Sequence, residues 1–419
     1  MRLVLVPLMS LLATGCTTGC SAGGGDQVNP VDAAPWQDAS PDSKTDTSFD
    51  AFADAFGDGS GCMIDGVLIT VGPDEDHDGD GWSLRDGDCN DCDPNTNPGA
   101  WDVPGNGVDE DCSGVADDEV TSCDDGIVLH TNVPEDGARA IGLCRFTQEK
   151  VSDPRDRSWG VIASSFELAD GSLGMHHASR GVIEDFGPNV RPQQGGALLA
   201  LSSASARRPG DPDFVLPIDG DMGTTSATPD GWPKPFPSCS EPLDPVPVAN
   251  DSAALSLRIR VPTNAQGLSF RFAFFTTEFP AWVCRQYNDY FVALMASSEG
   301  LQESNLSWDG QGNPISVNSV LLEACVPQVV EGRPFACLLG DAMLAGNGFG
   351  PSDGEARGHG ATGWLETTAA VAPGEVIDLR FVIWDAGDHR YGSTVVIDDF
   401  RWRAEEGVAS ETVRVPSPK

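Results

Sequence analysis

The chain has 419 residues, enough for two or three domains with at least one sizeable core, and 40% of them are hydrophobic. Its 64 acidic residues against 25 Lys and Arg give a formal net charge of −39, which repels nucleic acid and anionic lipid head groups and attracts cations. The charge gathers towards the N-terminus, where Lys44 and Arg85 are the only bases between residues 21 and 125.

Met1-Arg2 is followed by an apolar run, Leu3 to Leu12, and then by Ala13-Thr14-Gly15-Cys16. The run is too short to span a membrane and has the form of a signal-peptide core. Small residues directly before a cysteine resemble a bacterial lipobox, although Ala13 stands where leucine is commoner. The expectation is a signal peptide over 1–15, lipidation of Cys16, and membrane contact through the lipid alone, at the outer membrane or cell surface. Residues 16–60 read as an acidic linker. Asp38, Asp42, Asp46, Asp50, Asp54 and Asp58 would form one like-charged stripe on a helix, so an extended tether is preferred. Of the 12 cysteines, Cys16 carries the lipid and Cys20 lies in the linker; an even remainder in an exported chain reads as disulfides. Their connectivity stays open, with Cys89–Cys112 preferred because it would clip the acidic segment into a loop.

Residues 61–125 are rich in glycine and acid and poor in apolar side chains, so they need staples in place of a core. Asp74-Glu75-Asp76-His77-Asp78-Gly79-Asp80-Gly81 precedes Asp86-Gly87-Asp88-Cys89-Asn90-Asp91-Cys92-Asp93-Pro94. Carboxylates at alternate positions, broken by glycine, can wrap oxygens around Ca2+, which takes six to eight of them. Asp74, Asp76, Asp78 and Gly79 match the first half of an EF-hand loop, but Arg85 stands where its closing Glu belongs. The remaining ligands must then come from Asp86, Asp88, Asn90, Asp91 or Asp93. Zinc at Cys89-x-x-Cys92 is disfavoured, since His77 is the one imidazole nearby.

With Pro98-Gly99-Ala100 and Asn106-Gly107-Val108-Asp109-Glu110-Asp111-Cys112, the pattern over about 74–114 resembles a metal-binding motif of myxobacterial and related surface proteins. It is more loosely similar to thrombospondin type 3 calcium repeats. The resemblance implies Asp76, Asp78, Asp80, Asp88, Asp91, Asp93, Asn106, Asp109 and Asp111 as ligands and Cys89–Cys112 as the structural disulfide. Cys92 departs from the motif, with Cys62 or Cys123 as its possible partner.

From 126 to 403 the pattern changes to short alternating segments. Leu255, Leu257, Ile259 and Val261 alternate with polar residues; so do Phe270, Phe272 and Phe274, and Ile377, Leu379, Phe381 and Ile383. Each predicts a half-buried strand, with further strands over 159–168, 196–202, 289–297, 363–371 and 393–402. The fold class is therefore all-β, an antiparallel, jelly-roll-like sandwich preceded by the stapled acidic module and the linker. Residues 204–250 read as a long loop and 404–419 as a frayed tail.

Phe270 to Phe275, Thr277 to Trp282, Tyr287 to Phe291, Trp364 to Thr367, Phe381 to Asp388 and Val395 to Phe400 together resemble the choice-of-anchor domain family of bacterial surface proteins, over about 140–403. The resemblance implies surface display and no particular ligand. Glu278, Asn288, Asp289, Asp385, Asp388 and Asp398 are candidates for a second calcium ion, or equally for capping loop amides. Catalysis is not expected. His176 and His177, adjacent on a strand, would point to opposite faces, and no nucleophile elbow or phosphate loop appears. The expected role is adhesion or binding of an extracellular protein or glycan. A carbohydrate-binding module and a secreted hydrolase are the alternatives, with Trp282, Trp364 and Trp384 as stacking candidates.

Overall fold

A computed structural model describes residues 61–415 apart from 65–66, 121, 154–155, 240–246, 298–302 and 352–358. The signal peptide, Cys16 and the linker to residue 60 lie outside the described residues. The chain divides at Asp58/Gly59, and Gly59–Lys419 is one compact unit holding both the acidic module and the sandwich.

Two antiparallel sheets form the sandwich. The principal strands are β1 (Gly160–Glu167), β2 (Arg180–Ile183), β3 (Leu198–Ser202), β4 (Val248–Arg260) and β5 (Gly267–Thr276). They continue with β6 (Tyr290–Ser297), β7 (Leu365–Ala370), β8 (Val376–Asp385), β9 (Ser393–Arg403) and β10 (Glu411–Arg414). The first sheet runs β6-β8-β4-β1, with Ser304–Asn305 beyond β6. The second runs β5-β9-β3-β2, and the outer side of β5 pairs with Gly360–Ala361 and then with β7.

The alternating residues of the predicted strands meet between the sheets. Leu255, Leu257 and Ile259 face Phe270, Phe272 and Phe274, together with Ile377, Leu379, Phe381, Val395 and Ile397. Phe270 meets Phe381 edge-on at 4.9 Å between ring centroids, and Phe272 meets Phe291 at 4.8 Å. Burying each such ring contributes about 1.5–3 kcal/mol, so this layer dominates the stability of the unit.

The strands are not half-buried, as alternation alone predicted. Trp232, Phe236 and Trp308 cover the outer face of the first sheet over Tyr290, Val292, Val382 and Trp384. Phe186, Leu344 and Phe349 cover the outer face of the second over Ala273, Phe275 and Val396. The covering segments are long connections, which local periodicity cannot place. Cys239–Cys284 and Cys325–Cys337 tie them down. Trp384 and Trp364 are consequently buried in these layers and present no stacking face, while Trp282 packs part-buried on the core edge beside Tyr287 and Tyr391.

Three local expectations change. The 204–250 segment is mostly loop, but Thr225–Ala227 adds to the edge of β4, which itself begins at Val248. The tail is not frayed throughout: β10 pairs with β7, the Thr367 and Thr412 hydroxyls bond at 2.8 Å, and Arg414 pairs with Glu323 at 2.8 Å. His176 and His177 begin a 3-10 turn, and their rings lie 4.5 Å apart side by side. One α-helix, α1 (Pro134–Ala140), was not foreseen; at seven residues it is too short to show a helical period. Pro134 starts it, acids fill its first turn, and Gly137 lets it approach Phe166, where an added Cβ would come within 3.2 Å of the ring.

Candidate metal sites

The module is built from side chains that fold their own backbone. Asp78 accepts from the Asp80 amide at 3.2 Å, Asp80 from Trp82 at 2.8 Å and Asp88 from Asn90 at 2.7 Å. Each is an Asx turn, in which one carboxylate oxygen closes the loop. Asp76 accepts from Gly79 and Gly81 at 2.7 and 3.1 Å, and both glycines sit at positive φ, where a side chain would be strained. Trp82 lies beneath, against Gly99; a Cβ there would fall 2.4 Å from the indole, which is why Pro98-Gly99-Ala100 has glycine at its centre. Cys89–Cys112 closes the loop over a separation of 23 residues, worth about 3 kcal/mol on chain entropy.

The second oxygens of Asp78, Asp80 and Asp88 are buried and accept no hydrogen bond. Asp76, Asp78 and Asp80 converge, as do Asp78, Asp88 and Asp91, with one ligand atom of each within 4.8 Å of the others. Burial first, and then the neighbouring carboxylates, push Asp80 up to about 6 and Asp88 up to about 7; Asp78 is raised for the same reasons. Oxygens of this kind, fixed, buried and facing one another, fit a hard cation bound between them.

The other sequence-derived candidates lie outside these two groups. Asp74 is paired with Arg85, Asp86 accepts from the Ser83 hydroxyl at 2.8 Å, and Asp93 accepts from Asn95 at 3.1 Å. Asn90 is exposed and gives its amide to Asp88. Asn106, Asp109 and Asp111 join neither converging group. Asn106 closes a turn on the Val108 amide, Asp109 accepts from Ser113 and Gly114, and Asp111 accepts from Ser113 and pairs with Arg145 at 3.2 Å. Composition could not separate these roles, since all are Asp or Asn in one acid- and glycine-rich segment. Asp102 and Glu110, passed over in the sequence, organise that half: buried Asp102 accepts from Glu110 and Asp118, and Glu110 from Val103. Cys92 is also disulfide-bonded, and Cys123 is taken by Cys144. With Cys89 and Cys92 both oxidised, no thiolate remains for zinc at Cys89-x-x-Cys92.

The module docks on the sandwich. Asn264 brackets Trp101, accepting from its amide at 2.9 Å and donating to its carbonyl at 2.7 Å, and Thr263 donates to Gly99 at 3.0 Å.

At the far end of β5, β6 and β8, the second predicted group divides. Glu278, Asn288, Asp289 and Asp385 are all buried together, and Asp388 follows on the same loop, its amide 3.4 Å from Asp385. Burial, and then the acids acting on one another, holds Glu278 and Asp289 well above the usual carboxylate range and Asp385 at about 7. Asp398 belongs elsewhere. It sits at a bulge in β9, beside Asp399 at φ 54°, and accepts from the amides of Gln193 and Gln194. Its place near the acid cluster is taken by Asp251 and Asp221, which converge on His389; His389 Nδ1 lies 2.8 Å from Asp251. An acid placed just ahead of the alternating run 253–261, at Asp251, was the signal available in the sequence.

Residues 243–400 match the choice-of-anchor L domain family. The chain contains a choice-of-anchor L domain. That domain runs from the start of β4 into β9, so it holds the acid cluster, and β1 to β3 precede it. Residues 88–118 match a second family, described as "Putative metal-binding motif". This match starts at Asp88 and includes Cys89–Cys112, while Asp76, Asp78 and Asp80 lie before it. The two regions occur in the order that the sequence resemblances gave. No curated protein matches the chain.

Proposed function

We infer that this chain is an exported, calcium-binding bacterial surface protein, held to a membrane by a lipid on Cys16, with a non-catalytic binding or adhesive role. A choice-of-anchor domain beside a metal-binding motif supports the surface role. Among the described residues no helix is long and apolar enough to cross a membrane, in keeping with anchorage by lipid. The observation that carries the calcium reading is the trio of orphaned oxygens on Asp78, Asp80 and Asp88. An all-carboxylate donor set suits a hard ion, and calcium tolerates irregular oxygen geometry that magnesium does not. Binding a folded-state site adds to stability: at a hundredfold excess over Kd the gain is about 2.7 kcal/mol. Thermal unfolding in millimolar calcium and in chelator tests this. A clear rise in midpoint with calcium is expected, and an unchanged midpoint overturns the reading.

A second reading, glycan binding, draws on a cavity of about 510 Å³ at the seam of module and sandwich, lined in part by Trp101, Trp159, Trp402, Glu119 and Arg401. Trp159 and Trp402 are almost wholly buried, so only Trp101 offers an accessible ring. This favours a protein ligand over a sugar as the partner, and a glycan array separates the two.

A further inference from the structure

We propose that the sandwich carries its own divalent-cation site, formed by Glu278, Asp289 and Asp385 and distinct from that of the module. Glu278 follows the end of β5, Asp289 precedes β6, and Asp385 closes β8, so strand ends of the two sheets deliver one carboxylate each, near enough to act on one another's charge though not drawn within 4.8 Å as the module's acids are. They are 1%, 0% and 2% exposed. Among the described residues no Lys or Arg forms an ion pair with any of the three. Buried carboxylates without a compensating cation are strongly disfavoured, and replacing water around them needs either protons or a metal.

The donor groups are held as ligands would be. The Asp289 amide donates to Glu278 Oε2 at 3.1 Å, and the Ser203 hydroxyl donates to Asp289 Oδ2 at 3.1 Å. Ser203 is itself fixed, accepting from the Ser393 amide at 2.9 Å. With one oxygen clamped, Asp289 Oδ1 is left fully buried and without a hydrogen bond; the Ser393 hydroxyl comes near it without closing one. The charges acting on it are Glu278 and then Asp385. The side-chain amide of Asn288, 2% exposed, also closes no hydrogen bond, although it lies near the Tyr290 hydroxyl. An orphaned carboxylate oxygen on Asp289, beside an orphaned amide on the adjacent Asn288, is what a cation with oxygen ligands would satisfy.

The adjoining Asp221, Asp251 and His389 form a rim. Asp251 is engaged on both oxygens, by the Thr224 amide at 2.9 Å and by His389. The rim therefore fixes the 385–391 loop, which carries Asp385 and Asp388, and stays outside the ion's own ligand set.

The test uses the full chain with calcium as the probe, bound ions being counted by equilibrium dialysis. Terbium emission excited through aromatic rings supplies a second readout, since Trp384 and Tyr290, neighbours of Asp385 and Asp289, stack at 4.8 Å. Asp78→Asn with Asp88→Asn disables the module and should leave bound calcium in the sandwich. Adding Asp289→Asn should remove one equivalent and cut terbium emission at least tenfold, with the β-sheet circular dichroism retained. Asp385→Asn repeats the test should Asp289→Asn fail to fold. The proposal is overturned if the module-disabled chain binds no calcium. It is equally overturned if both sandwich variants bind as much as their parent, or if Asp221→Asn alone removes the ion. Failure of the module reading shows separately, as an unchanged count in the Asp78→Asn, Asp88→Asn chain.

Discussion

The acids of the module and the acids at the sandwich end carry the same functional group on opposite supports. In the module each carboxylate shapes its own loop: one oxygen of Asp78, Asp80 or Asp88 closes an Asx turn and the other faces the shared centre. With no cation between them, the same side chains that hold the backbone would repel one another. At the sandwich end the backbone is held by ladders and a deep apolar layer, and Asp289 is positioned by a serine 86 residues away in sequence. There the acids are guests of a scaffold that exists without them. On the proposed reading, metal binding would be coupled to folding in the first region and largely separable from it in the second.

Three experiments press on that contrast, beginning with the largest effect. Phe272→Ala removes a fully buried ring shared by the two sheets and should destabilise the unit by about 3–5 kcal/mol, measured by denaturant unfolding. The module should then unfold with the sandwich, whereas chelation should loosen the module while the sandwich amides remain protected from hydrogen exchange. Equal loss of protection in both regions on chelation would erase the distinction.

The second experiment is a pH series. The folded, metal-free module holds Asp80 at about 6 and Asp88 at about 7, above the ordinary 3.8, so the folded state binds more protons than the unfolded chain between those values. For an acid raised in this way the stability contribution is present at low pH and lost as pH rises through the folded pKa. The midpoint in chelator should therefore rise as pH falls from 8 to 5, on the order of 1 kcal/mol per pH unit for each such group, with Asp88 in the module and Asp385 in the sandwich titrating over the same range. The calcium increment should shrink over the same window, because the ion needs the carboxylates ionised. A chelated midpoint that falls on acidification across this window would contradict the buried, mutually repelling arrangement.

The smallest effect concerns the seam. Asn264→Ala removes both bonds to Trp101 and should lower stability by about 1 kcal/mol. Its clearer readout is faster amide exchange at Trp101 with the sandwich amides unchanged; no change at Trp101 would mean that other contacts dock the module.

Local patterns were legible wherever a neighbour in sequence is also a neighbour in space. The alternation at 255–261, 269–274 and 377–383 marks core strands, since a strand turns its side chains over with period two. The Asp-x-Asp spacing of 76–80 likewise states its own geometry, because an Asx turn spans two residues. The family resemblances, matched over 243–400 and 88–118, rest on such local strings. Tertiary structure decided the rest. Whether Asp398 or Asp251 faces the buried acids depends on a bulge in β9 and on His389 reaching across 138 residues, and no local spacing encodes that distance. Among the module's acids, Asp109 and Asp111 read like ligands, yet their oxygens are occupied by amides and Arg145. Residue type fixes what a carboxylate can do, and only the folded chain determines which of its oxygens is left free to do it.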